Sequence, residues 1–131
     1  MRPTPQQRIY WDGVCHTLPM EAGVYSVFAG EKLLYIGESD CLRIRVRFHN
    51  RLQEFLVYGA DEVRFIKVGQ FPMCGAIRRQ MEAFLTWKWN PSLSRTPKRN
   101  YDGSIWVSSV QSTLSYAIQF ETTLQRLREF S

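Results

Sequence analysis

The chain has 131 residues, 44% hydrophobic and 14% aromatic, enough for one domain with one core, and no apolar run approaches the ~20 residues of a membrane span. Its formal charge of +5 permits a polyanionic partner without requiring one. Cys15, Cys41 and Cys74 are widely spaced with only His16 and His49 to join them, which argues against a zinc site and for reduced thiols. The first twenty residues lack the apolar centre of a secretion signal, so the expectation is a cytoplasmic protein.

Residues 1 to 19 contain Pro3, Pro5 and Pro19 and read as an irregular lead-in. Val24 to Phe28 and Leu33 to Ile36 are predicted strands, with Gly30 supplying the turn between them. Ser39-Asp40 offers an N-cap for a helix from Cys41 to about Leu56, broken near Asn50. Glu62 to Val68 alternates polar and apolar residues, as a strand with one wet face does. Pro72 opens a further helix that runs to about Trp89, where Asn90-Pro91 stops it because a residue before proline is pushed out of helical geometry. Residues 91 to 104 form a basic loop, Ile105 to Ser108 a further strand, and the spacing of Leu114, Ala117, Ile118, Glu121, Leu124 and Leu127 predicts a closing helix to Phe130. With no repeat and no linker, residues 1 to 131 make one α+β domain. Its small three-stranded antiparallel sheet is flanked by helices and carries an extra C-terminal strand and helix.

Gly23-Val24-Tyr25, nine intervening residues and then Tyr35-Ile36-Gly37 resemble the signature of the GIY-YIG nuclease superfamily. Leu42 and Arg45, the latter eight residues past Gly37, fall where that family carries a leucine and a functional arginine. His49 matches a histidine of several members, and Glu82, Leu85 and Pro91 match the spacing of a metal-binding glutamate and the residues that follow it. The resemblance spans residues 18 to about 94, including Leu18-Pro19, and leaves residues 95 to 131 as an extension. It implies a metal-dependent endonuclease that hydrolyses phosphodiester bonds in DNA, with a single Mg²⁺ or Mn²⁺ ion on Glu82. By the same resemblance Tyr25 deprotonates or orients the attacking water, Tyr35 positions the phosphate or that water, and Arg45 clamps the non-bridging oxygens. His49 assists Tyr25 or holds a phosphate oxygen.

Elementary chemistry bears on these roles. Arg45 and His49 are four apart on a predicted helix and so share a face. A free tyrosine titrates near pH ~10, so a phenolate at Tyr25 needs a cation beside it, from Arg45, His49 or the metal. Arg43 and Arg47 are two residues from Arg45, turn away from it, and read as a solvated face that can also meet nucleic acid. Arg78 and Arg79 on the Glu82 helix, with Arg95, Lys98 and Arg99 in the loop beyond, suit backbone phosphates. Trp87 and Trp89 read as core. The plainer alternatives are cross-strand aromatic pairing for Tyr25 and Tyr35 and a surface position for Glu82.

Two departures from the family pattern stand out: Ser94 occupies the usual place of an asparagine, and Glu38 puts an acid directly after Gly37. An acid there opposes DNA unless it pairs with an arginine or a metal. They motivate an alternative reading, a catalytically weak or inactive nucleic-acid-binding module on the same scaffold. A third is a protein-interaction domain whose arginines meet an acidic partner. A chain this short leaves targeting to its C-terminal segment, to a homo-oligomer or to a partner protein.

Overall fold

The computed structural model describes residues 2–68 and 74–93. The elements run α1 (Pro5–Cys15), β1 (Gly23–Ala29), β2 (Lys32–Ser39), α2 (Leu42–Arg47), α3 (Leu52–Val57), β3 (Glu62–Lys67) and α4 (Cys74–Trp89). The sheet is antiparallel with order β2-β1-β3, so β1 is central and β2 lies at an edge. The expected hairpin, third strand and flanking helices are present, and the expected break near Asn50 separates α2 from α3. The predicted C-terminal strand and helix lie outside the described residues. No helix among the described residues is long and apolar enough to cross a membrane.

The lead-in is not irregular. Thr4 caps α1 by accepting from the Gln7 N–H at 3.1 Å, while the Gln7 side chain accepts from the Thr4 N–H at 2.9 Å. Pro5 sits at the first helical position, where its missing N–H costs nothing. The prolines that suggested an irregular lead-in include Pro5, which opens a helix.

Two apolar layers sandwich the sheet. Trp11, Leu42, Val46, Leu52 and Phe55 from α1, α2 and α3 pack on the face that carries Tyr25, Val27 and Val63. Ile77, Met81 and Leu85 of α4 pack with Val24, Ile36 and Ile66 on the other. The helix α2 is too short to stand by propensity, and its ends are completed by the segment before the sheet. Leu42 and Arg43 donate their backbone N–H groups to the carbonyls of Glu21 and Pro19 at 2.8 and 3.1 Å. At the other end Trp11 Nε1 donates to the Val46 carbonyl at 2.9 Å, and Arg8 donates to that of Arg47. Those carbonyls are otherwise among the orphans of a helix C-terminus.

A bulge in β2 opposite Val27 and Phe28 shifts the register by one residue, and Leu34 and Tyr35 both pack on the α2–α3 side. Beyond α4, Asn90 takes a left-handed conformation with φ of 52°, as helix ends often do. Ser92 and Leu93 then donate to the Leu33 and Leu34 carbonyls at 3.2 and 2.9 Å, covering part of the β2 edge.

Candidate active site

Tyr25 and Gly37 are direct partners across β1 and β2, and Val27 faces Tyr35, so both tyrosines share one face of the sheet. Glycine is required at 37 because the phenol lies flat over it. A Cβ there would sit 2.3 Å from Tyr25 Oη and 2.4 Å from its Cζ. At Gly23 the reason is the neighbouring strand, since a Cβ would sit 2.3 Å from the Ile66 carbonyl oxygen. The two glycines of the motif are thus packing requirements. Gly37→Ala is expected to keep the far-UV circular dichroism of the wild type, to lose about 1–3 kcal/mol of stability to overpacking, and to displace the Tyr25 phenol. The His49 imidazole resonances in an NMR spectrum report the displacement, and unchanged resonances would contradict this account.

His49, just past α2, is buried with its Nε2 2.8 Å from Tyr25 Oη. Its other ring nitrogen, Nδ1, accepts the Arg51 backbone N–H at 3.0 Å. Burial, followed by the charges of Arg45 and Arg51, lowers its pKa to about 3, so the ring is neutral near neutral pH. A neutral imidazole whose Nδ1 is an acceptor carries its proton on Nε2. His49 therefore donates to the Tyr25 oxygen. It is not the cation that could favour a phenolate, and its Nδ1 is already occupied.

Burial is the main force raising the pKa of Tyr25, and Tyr35 adds to it. Against this, the Arg45 guanidinium acts through its charge and a hydrogen bond to the phenol. The Tyr25 oxygen thus faces two donors, His49 and Arg45. Tyr35 stacks near Tyr25 with ring centroids 6.2 Å apart and meets His49 edge-on at 5.1 Å. Its pKa is raised by burial and by Glu82, against Arg45 and Arg51. The Arg51 guanidinium lies 5.3 Å from the Tyr35 ring centroid. Arg51 thus holds the histidine tautomer with its backbone and flanks a site tyrosine with its side chain. The break near Asn50 was the only sequence signal that this segment does more than continue a helix.

Glu82 arrives from α4 on the opposite side of the sheet, around the β2 edge. Its carboxylate accepts the Glu38 backbone N–H, and burial, then the Glu38 charge, raises its pKa to about 7, with Arg45 pulling it down. The glutamate lies within electrostatic reach of Tyr25, Tyr35 and Arg45. All five residues of the sequence motif meet in one place.

The surrounding arginines divide. Arg45 and Arg79 are exposed and line an open polar cleft with Glu38, Ser39, Asp40 and Arg78. Arg78 itself is buried and spends its guanidinium on Glu38, Nε to Oε2 3.1 Å. Arg47 pairs with Asp12 through Nε and one terminal nitrogen at 3.0 and 3.2 Å, and Arg43 Nε donates to the Leu18 carbonyl at 2.7 Å. These three brace the fold, whatever charge they also present. Arg95, Lys98, Arg99 and Ser94 lie outside the described residues. Trp87 is 46% exposed, so it is not a core residue as expected, whereas Trp89 packs partly buried against the α4 layer.

No protein-family profile matches the sequence, and no curated protein does. Solved structures do match it. The N-terminal GIY-YIG endonuclease domain of UvrC from Thermotoga maritima superposes with a TM-score of 0.53 and 22% identity, over 72% of this chain and 100% of that one. This chain has the GIY-YIG fold. A third structure of the same domain agrees at 21% identity with the same coverage and TM-score. The three are point mutants, one with an asparagine replaced by alanine and two with a tyrosine replaced by phenylalanine, each bound to its catalytic divalent cation.

Does the present site suit such a cation? Among the described residues no three His, Cys, Asp or Glu side chains are placed to share one. Glu82 is nonetheless a partly buried carboxylate whose ionised form is disfavoured by burial and by Glu38, and it interacts with Arg45 and Glu38, two residues that line the cleft. One carboxylate, water and a phosphate oxygen form the donor set that Mg²⁺ commonly takes. The residues present fit a single hard divalent cation.

Proposed function

We propose that this chain is an endonuclease that hydrolyses phosphodiester bonds in DNA with the help of one divalent cation, Mg²⁺ or Mn²⁺, held by Glu82. The supporting observation is the meeting of Tyr25, Tyr35, Arg45, His49 and Glu82 from two strands, two separate helical segments and both sides of the sheet. A set of core aromatics has no need of a half-buried carboxylate and an exposed arginine at their hydroxyls.

In this reading a DNA phosphate enters the cleft and Arg45 takes its non-bridging oxygens in the fork that guanidinium provides. The Tyr25 hydroxyl, its oxygen held by His49 Nε2–H and by Arg45, stays protonated because burial raises its pKa, and it orients the attacking water by hydrogen bonding while the water's proton passes to solvent. His49 fixes the position of that oxygen as a neutral donor, and Arg51 keeps it in the donating tautomer. Tyr35 packs against both rings and orients the water or the phosphate. Glu82 would hold the cation, which would supply positive charge against the charge that develops in the reaction. Arg79, together with the positive charges of Arg95, Lys98 and Arg99 farther along the sequence, binds the DNA backbone without reading sequence. Glu38, an acid that would repel DNA if left alone, is neutralised by Arg78.

Supercoiled plasmid incubated with the full chain and Mg²⁺ or Mn²⁺ is expected to be nicked, with no product in chelator and none from Arg45→Ala at equal concentration. Salt-sensitive DNA binding with no product under either metal would instead favour the non-cutting module.

A further inference from the structure

We propose that Arg78 is a positioning residue that holds the Glu38 carboxylate away from the cation site, so that Glu82 serves as the lone carboxylate there. The proposal rests on the cation-binding reading of Glu82 given above. Arg78 and Glu82 are four residues apart on α4 and share a face, the spacing at which an arginine and a glutamate usually pair. They do not pair here. Arg78 Nε reaches across to Glu38 Oε2 at 3.1 Å, with side chains only 9% and 19% exposed. Glu38 meanwhile presents two groups to the site: its backbone N–H, which Glu82 accepts, and its carboxylate, whose charge acts on Glu82.

The register explains the division. Glu38 is the partner of Val24 on β1, on the face packed against α4, so its side chain turns toward Arg78. Its backbone belongs to the edge strand, where an N–H without a sheet partner is free for Glu82. Arg78 therefore performs one task with two results. It leaves a single acidic ligand at the cation site, and it removes a negative charge from a cleft meant for phosphate. Without Arg78, Glu38 becomes a second carboxylate beside Glu82, and a pair binds a divalent cation more tightly than one does. Without Glu38, Arg78 is left four residues from Glu82 with no counter-charge, and it competes with the cation for that carboxylate.

Mn²⁺ alone, titrated into the full chain by calorimetry without DNA, tests this. Arg78→Gln is expected to bind Mn²⁺ about tenfold more tightly than wild type, and Glu38→Gln about tenfold more weakly, within the range that neighbours of metal ligands usually command. The double variant Glu38→Gln/Arg78→Gln is expected to return close to wild-type affinity. Unchanged affinity in both single variants would overturn the proposal, as would tightening that persists in the double variant. If Arg78→Gln does not fold, Glu38→Gln decides alone, and equal or tighter Mn²⁺ binding in that variant refutes the positioning role. Mn²⁺ binding that survives Glu82→Gln unchanged would instead show that the cation reading has failed, and the proposal with it.

Discussion

Glu82→Gln is expected to abolish divalent-cation binding and to lower plasmid nicking by about 10²–10³-fold, the scale of losing a main electrostatic element of a reaction site. The same substitution is expected to make the metal-free protein more stable at pH 8. The direction follows from the carboxyl's environment. Its pKa in the folded chain is about 7, above the 4.5 of the unconstrained group, because burial and Glu38 disfavour its charge. The unfolded chain therefore releases this proton at lower pH than the folded one. Stability declines as pH rises from 4.5 through about 7 and levels off above.

Glutamine keeps the shape and carries no charge, so it removes that penalty, on the order of 1–3 kcal/mol after allowance for partial solvation. The gain should be present at pH 8, shrink through pH 6 and be gone near pH 4.5. Urea denaturation at three pH values, with chelator present, measures it. A variant that loses activity and also loses stability at pH 8 would mean that Glu82 is a structural residue. The pattern expected here is the opposite: a group retained at a cost to the fold, as is common at reaction sites.

Trp11→Ala carries the largest expected stability effect. The indole is fully buried, packs with its centroid 6.0 Å from the Phe55 ring, and donates its N–H to the Val46 carbonyl. Truncation removes the apolar area, leaves a cavity and orphans a carbonyl at the end of α2. Together these cost about 3–5 kcal/mol, a large part of the 5–15 typical of a domain. Trp11→Phe keeps most of the packing and loses the hydrogen bond, so about 1–2 kcal/mol is expected. Chemical denaturation separates the two variants. A loss under 1 kcal/mol for Trp11→Ala would mean that α1 is an appendage. The consequence reaches the site, because α2 carries Arg45 and leads into His49, and its two ends are completed by the segment before the sheet. In the alanine variant cleavage should fall by more than the unfolded fraction accounts for.

Much of this molecule is written in short-range pattern. The hairpin, the break near Asn50, the alternation of β3 and the end of α4 at Trp89 are local matters of period, turn residue and cap, and each is present where the residues place it, whereas the expected start of that helix at Pro72 lies outside the described residues. Local pattern also contained α1, in Thr4-Pro5-Gln6-Gln7, where the cap signal outweighs the prolines around it. The spacing of Gly23, Tyr25, Tyr35, Gly37, Arg45, His49 and Glu82 pointed to a shared site through resemblance.

What spacing does not carry is who meets whom across the sheet. That Arg78 turns to Glu38 rather than to Glu82, that Arg47 spends itself on Asp12, and that Arg51 fixes the donating tautomer of His49 are decided by packing between segments far apart in the chain. An arginine reads alike in sequence whether it faces phosphate or is buried in an ion pair. Its burial and its nearest opposite charge exist only once the layers close, and those two quantities set its chemistry. Residue types and their periods therefore determined the elements and nominated the site, whereas the tertiary structure alone assigned each charge its partner and each titrating group its state.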